Sequence, residues 1–173
     1  RNCDWSSDVC SSDLFDWFEN VGEPGRGVEW RRHEVESNVG ETRTIEAADF
    51  NHDGWPDLLG TSRTSHQVMW YANPGDRRDA AWKKTIIDGE TKFPAHAHAI
   101  DLDRDGDLDV IAAAGIAAGV GNNSPESHQV VWYENIGTAG AGTQWAKHII
   151  AATFPQGFEA VAGDLDGDGD LDV

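Results

Sequence analysis

Three stretches of this chain place oxygen-bearing side chains at alternate positions of a tight loop, with glycine at position 6. They are Asp49–Asp57, Asp101–Asp109 and Asp164–Asp172. A hard cation such as calcium needs this spacing of oxygen donors and this sharp glycine turn. Each copy runs into an apolar segment, so the chain reads as a repeat architecture with one metal loop per unit.

By position, the expected side-chain ligands in loop two are Asp101, Asp103, Asp105 and Asp109, with the backbone carbonyl of Asp107. In loop three they are Asp164, Asp166, Asp168 and Asp172 with the Asp170 carbonyl. In loop one they are Asp49, Asn51, Asp53 and Asp57 with the Trp55 carbonyl. Loop one has one carboxylate fewer and is expected to bind most weakly. Loop three is expected to be held less firmly, because no strand follows it before Val173. An EF-hand needs helical flanks and a bidentate Glu at position 12, where this chain has Gly60 and Ala112. Magnesium prefers to keep its waters, so calcium is the expected ion.

The repeat extends beyond the Asp loops. Trp17, Trp70 and Trp132 each open a Trp-aromatic-x-Asn-x-Gly turn. Trp30, Trp82 and Trp145 open a second set of short β-type runs. From each Trp of this second set to the first Asp of the next loop is 19 residues, three times in three. A constant spacing implies a fixed chain path, so these six Trp are expected to pack between units. His66 and His128 also recur and are read as structural. The period lengthens from 52 to 63 residues, mostly through a Gly- and Asn-rich insertion at 115–127 that reads as a surface loop.

Each unit divides into four β-type runs, in the second unit at roughly 95–100, 108–114, 129–134 and 145–150. The expected fold is all-β, a partial β-propeller of four-stranded antiparallel blades joined by Asp-rich calcium loops. Residues 15–43 are the outer strands of a preceding blade. Residues 44–94 form a blade with loop 49–57, and 95–151 a blade with loop 101–109. Residues 152–173 begin a following blade with loop 164–172. Residues 1–14 are set aside, because 4–14 look like the translation of a short sequencing adapter. Cys3 and Cys10 fall within that segment and carry no redox argument. The chain is read as a fragment cut at both ends.

These loops, turns and spacings resemble the FG-GAP or VCBS repeats, the calcium-loop blades also found in the integrin alpha head. The resemblance covers about 15–173. It implies a ring of about seven blades, more than this chain holds, with calcium bracing the first hairpin of each. It also implies an extracytoplasmic location, on a cell surface or secreted, and a structural role for the ion.

The formal net charge is −18, and 13 of the acids sit in the three loops, so only −5 remains for everything else. The acidity is local to the loops. There is no basic groove for nucleic acid and no apolar run near the ~18 residues of a membrane span.

His96 and His98 break the repeat, standing where other units carry Thr44 and Glu46, or Glu159 and Val161. Alternation puts both imidazoles on one face of a strand, which is also a transition-metal half-site. If that strand borders a central channel, His96, His98, Glu46 and Glu159 converge there. They are weak catalytic candidates, and no nucleophile–base pair or phosphate loop accompanies them. Trp55 is expected to be exposed in loop one.

The leading reading is a calcium-stabilised binding or adhesion module with a protein or polysaccharide ligand. The alternative is the propeller domain of a carbohydrate-active lyase or dehydratase using the channel histidines. A third is a passive repeat segment of a larger surface protein. Any ligand is expected on the face away from the calcium loops, beside the 115–127 insertion.

Overall fold

The computed structural model describes residues 13–23, 25–77, 80–115, 128–155 and 157–173. The 1–12 segment and residues 116–127 of the insertion lie outside the described residues.

The described residues form an all-β structure. Strands β1 (Leu14–Asn20) and β2 (Trp30–Ser37) pair as an antiparallel hairpin. Strands β3 (Thr42–Ala48), β4 (Asp57–Ser62), β5 (Gln67–Ala72) and β6 (Lys83–Asp88) follow as a four-stranded meander. A second meander repeats it with β7 (Pro94–Ile100), β8 (Asp109–Ala114), β9 (Gln129–Asn135) and β10 (Trp145–Ala151). The strands expected for the second unit are found within one residue at each end. Loops one and two join β3 to β4 and β7 to β8, so each Asp loop is the tip of the first hairpin of its sheet.

The expected opening strand of a further unit does not form. Residues 157–162 carry no strand pairing, and loop three is closed by an isolated bridge between Gly163 and Asp172. β3 and β7 are each held by the strand after their own loop. No such strand flanks 157–162 among the described residues. One backbone bond, His96 N–H to the Phe158 carbonyl at 3.2 Å, lays the segment beside β7.

Every residue of β4 and of β8 is buried. Their continuous runs, Leu58-Leu59-Gly60 and Val110-Ile111-Ala112-Ala113-Ala114, suit strands covered on both faces. Sheets therefore stack face to face. Phe50, Leu59, Val68 and Trp70 of the first sheet share a core with Ala97, Val110, Ala112, Val131 and Tyr133 of the second. Phe15, Val39, Leu58, Met69 and Tyr71 form the core between hairpin and first sheet. Gly60 permits the hairpin to seat: a Cβ there would come within 2.6 Å of the Phe15 ring.

The tryptophans divide. Trp70 is buried and donates from Nε1 to the Gly142 carbonyl of the next sheet at 2.8 Å. Trp82 and Trp145 pack against the two inter-sheet cores. Trp17 and Trp132 stack on His33 and His148 of their own sheets, contacts within a unit rather than between units. Trp30 also departs from the expectation of inter-unit packing. It is 56% exposed and donates within its own hairpin to Gly27. Its counterpart Trp82 packs on the unit before it, and no such unit lies beside Trp30 among the described residues. No helix among the described residues is long and apolar enough to cross a membrane.

Candidate metal centre

The three Asp loops follow one path. Position 4 is left-handed in each (His52, Arg104, Gly167), as is the position-6 glycine (Gly54, Gly106, Gly169; φ 85°, 99° and 98°). Side chains without Cβ tolerate that conformation best, which is why position 6 is glycine. The position-5 amide donates to the side chain at position 3 in all three loops, at 3.0–3.1 Å. The position-7 amide donates to the Asp at position 5, at 2.8–2.9 Å. These bonds turn the carboxylates inward.

In loop two the carboxylates of Asp101, Asp103 and Asp105 offer oxygens within 4.8 Å of one another. In loop three Asp164, Asp166 and Asp172 do the same. The decisive detail is at Asp101. Its Oδ2 accepts from the Gly106 amide at 3.1 Å, but its Oδ1 is buried with no hydrogen-bond partner. A buried carboxylate oxygen without a partner is costly unless a cation satisfies it. The donor set of loop two, all hard oxygen, fits calcium in chemistry and in spacing.

Loop one is poorer. The Asn51 side chain donates to Asp53 Oδ2 at 3.0 Å, so its amide faces the carboxylate that a cation would need. Asp49 accepts from the Asp53 and Gly54 amides at 3.2 and 3.0 Å. Trp55, Asp107 and Asp170 occupy position 7, and their carbonyls are the backbone donors the pattern anticipates. Asp168 spends Oδ1 on the Asp170 amide.

Position 9 does a second job. Asp57 accepts from the Phe50 amide at 3.0 Å and the Asn73 amide at 2.8 Å. Asp109 accepts from Leu102 at 3.2 Å and Asn135 at 2.8 Å. Each carboxylate thus ties its loop to the end of the third strand, while each oxygen keeps a lone pair. Asp172 repeats the first of these bonds with Leu165 at 2.9 Å. Burial pushes Asp57 up to about 6, against the pull of those two amides, and the neighbouring Asp53 and Asp49 charges add to the rise. Burial raises Asp109 as well. A cation in the loop would act in the opposite direction and favour the ionised forms.

A sequence model of the FG-GAP-like repeat matches residues 49–112 and again 116–173, the first match beginning at loop one and the second within the 115–127 insertion. The chain belongs to the FG-GAP-like repeat family. No curated protein and no solved structure matches it. As an FG-GAP-like chain it carries a β-propeller-type repeat domain, and the two stacked sheets are its blades.

On the inner strands of these FG-GAP-like blades, His98 stands between two carboxylates. Its Nδ1 is 3.0 Å from Glu46 Oε2 on β3, and its Nε2 is 3.0 Å from Glu159 Oε1. Three successive units meet at one imidazole. His96 does not join them; its ring lies 4.4 Å from that of Phe158. Among the described residues, the histidines form no group of three metal ligands.

A second inter-blade contact escaped the sequence reading. Asp88 Oδ2, at the end of β6, receives Lys147 Nζ at 2.8 Å, Thr91 Oγ1 at 2.7 Å and Tyr133 OH at 3.1 Å. One interface earlier, Glu36 receives Tyr71 OH at 2.5 Å and Lys84 Nζ at 3.1 Å. The available signal is an acid six residues after Trp30 and Trp82, which the third unit lacks at Ala151. Burial pushes both phenols up, so they remain neutral donors.

Proposed function

We propose that this chain is part of a calcium-braced β-propeller that acts outside the cytoplasm as a binding or adhesion surface for a protein or polysaccharide, with calcium in a structural role. The observation that carries the metal reading is the buried, unpartnered Asp101 Oδ1 beside Asp103 and Asp105. Loops one and two each tip the first hairpin of their blade, so a cation there braces the strands that line adjoining blades. Membership of the FG-GAP-like family supports an extracytoplasmic setting, where calcium is plentiful.

The test is thermal unfolding of the protein in millimolar calcium and in chelator. The Tm rises with calcium, and Asp105→Ala removes most of the gain. At calcium a hundredfold above Kd one site adds about 2.7 kcal/mol. An unchanged Tm counts against the reading.

The enzymatic alternative draws on one observation, the His98 ring held by Glu46 and Glu159. A carboxylate on one ring nitrogen orients an imidazole for general-base work, and in that reading a substrate takes the place of Glu159 at Nε2. Replacing His96 and His98 with Ala separates the readings. Calcium binding survives in both, and eliminase activity on a uronate polysaccharide disappears only if the site is catalytic.

A further inference from the structure

We propose that loops one and two bind their cations cooperatively, coupled through the Thr138–Gly142 turn that is wedged between them. The inference rests on the reading of these loops as calcium sites.

The turn touches both loops. On one side the Gly140 amide donates to Asp107 Oδ1 at 2.9 Å. Asp107 is position 7 of loop two, the residue whose carbonyl is the expected backbone ligand, and it is 5% exposed. On the other side Gly140 lies against the backbone of loop one. A methyl group built on it would stand 3.0 Å from the Asn51 carbonyl oxygen and 3.4 Å from His52 Cβ. Asn51 is position 3 of loop one, an expected ligand. His52 Nδ1 is 3.8 Å from the same Asp107 Oδ1. One carboxylate of loop two therefore meets both the turn and the crest of loop one.

The turn is also anchored. The Ala141 amide closes it onto the Thr138 carbonyl at 2.8 Å. Two indoles, Trp70 at 2.8 Å and Trp145 at 3.1 Å, donate to the Gly142 carbonyl. Trp70 belongs to the blade of loop one and Trp145 to that of loop two, so the turn shifts only if the blade interface shifts with it.

Coupling follows from ordering. A cation that draws in the Asp107 carbonyl fixes that residue, hence Gly140, hence the Asn51–His52 backbone. The second cation then meets a loop whose ordering cost has been met. Such coupling is reciprocal: each loop must raise the affinity of the other by the same factor.

The experiment is a calcium titration of the full chain followed by amide NMR. Gly54 reports loop one and Gly106 reports loop two, since each amide donates to the first Asp of its own loop. Asp105→Ala weakens calcium binding at Gly54 by about five-fold or more, and Asp53→Ala weakens it at Gly106 by the same factor. In Gly140→Ala, which pushes the turn off loop one, both factors fall towards unity. His52→Asn, which tolerates the left-handed backbone, lowers them partway and serves if Gly140→Ala does not fold. Equal titration of Gly54 in the natural chain and in Asp105→Ala overturns the coupling while leaving the calcium reading intact. Failure of both amides to respond to millimolar calcium overturns both.

Discussion

Lys147 reaches Asp88 Oδ2 at 2.8 Å, joining the outermost strand of one blade to the outermost strand of the blade before. Burial alone would raise Asp88. The Lys147 and Thr91 hydrogen bonds, the Glu90 amide and the Lys147 charge outweigh it and hold the carboxyl at about 2. The folded value lies below the unfolded one. Its contribution is therefore present above the ordinary carboxylate range near pH 4 and is lost as pH falls towards 2. The shift corresponds to roughly 2 kcal/mol. Urea unfolding of the natural chain and of Asp88→Asn should differ by that order at pH 6 and converge near pH 2. A difference that does not change with pH contradicts this assignment.

Phe50 fills the interface between blades, its ring 5.5 Å from Trp70 and 6.3 Å from Trp145. It is fully buried. Phe50→Ala should cost about 3–5 kcal/mol. Phe50→Leu should cost less than about 1.5 kcal/mol, because the same loop position holds Leu102 and Leu165 in the other units. Chemical denaturation of the two variants checks the ratio.

Asp101 and Asp109 occupy the same loop and should respond oppositely to amidation. Asp109 accepts the Leu102 amide of its loop on one oxygen and the Asn135 amide of β9 on the other, so Asp109→Asn turns an NH2 group towards an N–H and should cost about 1–3 kcal/mol even in chelator. Asp101 needs only Oδ2 for the Gly106 amide, and Oδ1 has no partner. Asp101→Asn should leave stability in chelator unchanged or raised, and should abolish the calcium response of loop two. Thermal melts with and without calcium separate the two outcomes.

The architecture was legible because its signals are periodic. The constant run from Trp30, Trp82 and Trp145 to the next Asp fixes where an outer strand ends and an inner hairpin begins. Glycine at position 6 marks the left-handed turn in every loop. What the sequence concealed is what depends on neighbours across an interface. Nothing in loop spacing shows that Asp57 and Asp109 tie their loops to the end of the third strand, since an Asp ligand and an Asp acceptor look alike. The Glu36 and Asp88 contacts occur in two units of three, so the repeat pattern dilutes them. His96 and His98 share a face, as alternation requires, yet only His98 has carboxylates on the elements either side of it. Trp30 carries the same signal as Trp82, but among the described residues no unit lies beside it to pack against.

The most direct test of the central claim is a crystal structure of the protein grown with calcium, with attention to loop two. The account predicts a bound ion about 2.3–2.6 Å from Asp101 Oδ1, the Asp103 and Asp105 carboxylates and the Asp107 carbonyl. A water molecule at that centre, or an empty one, at millimolar calcium would contradict it.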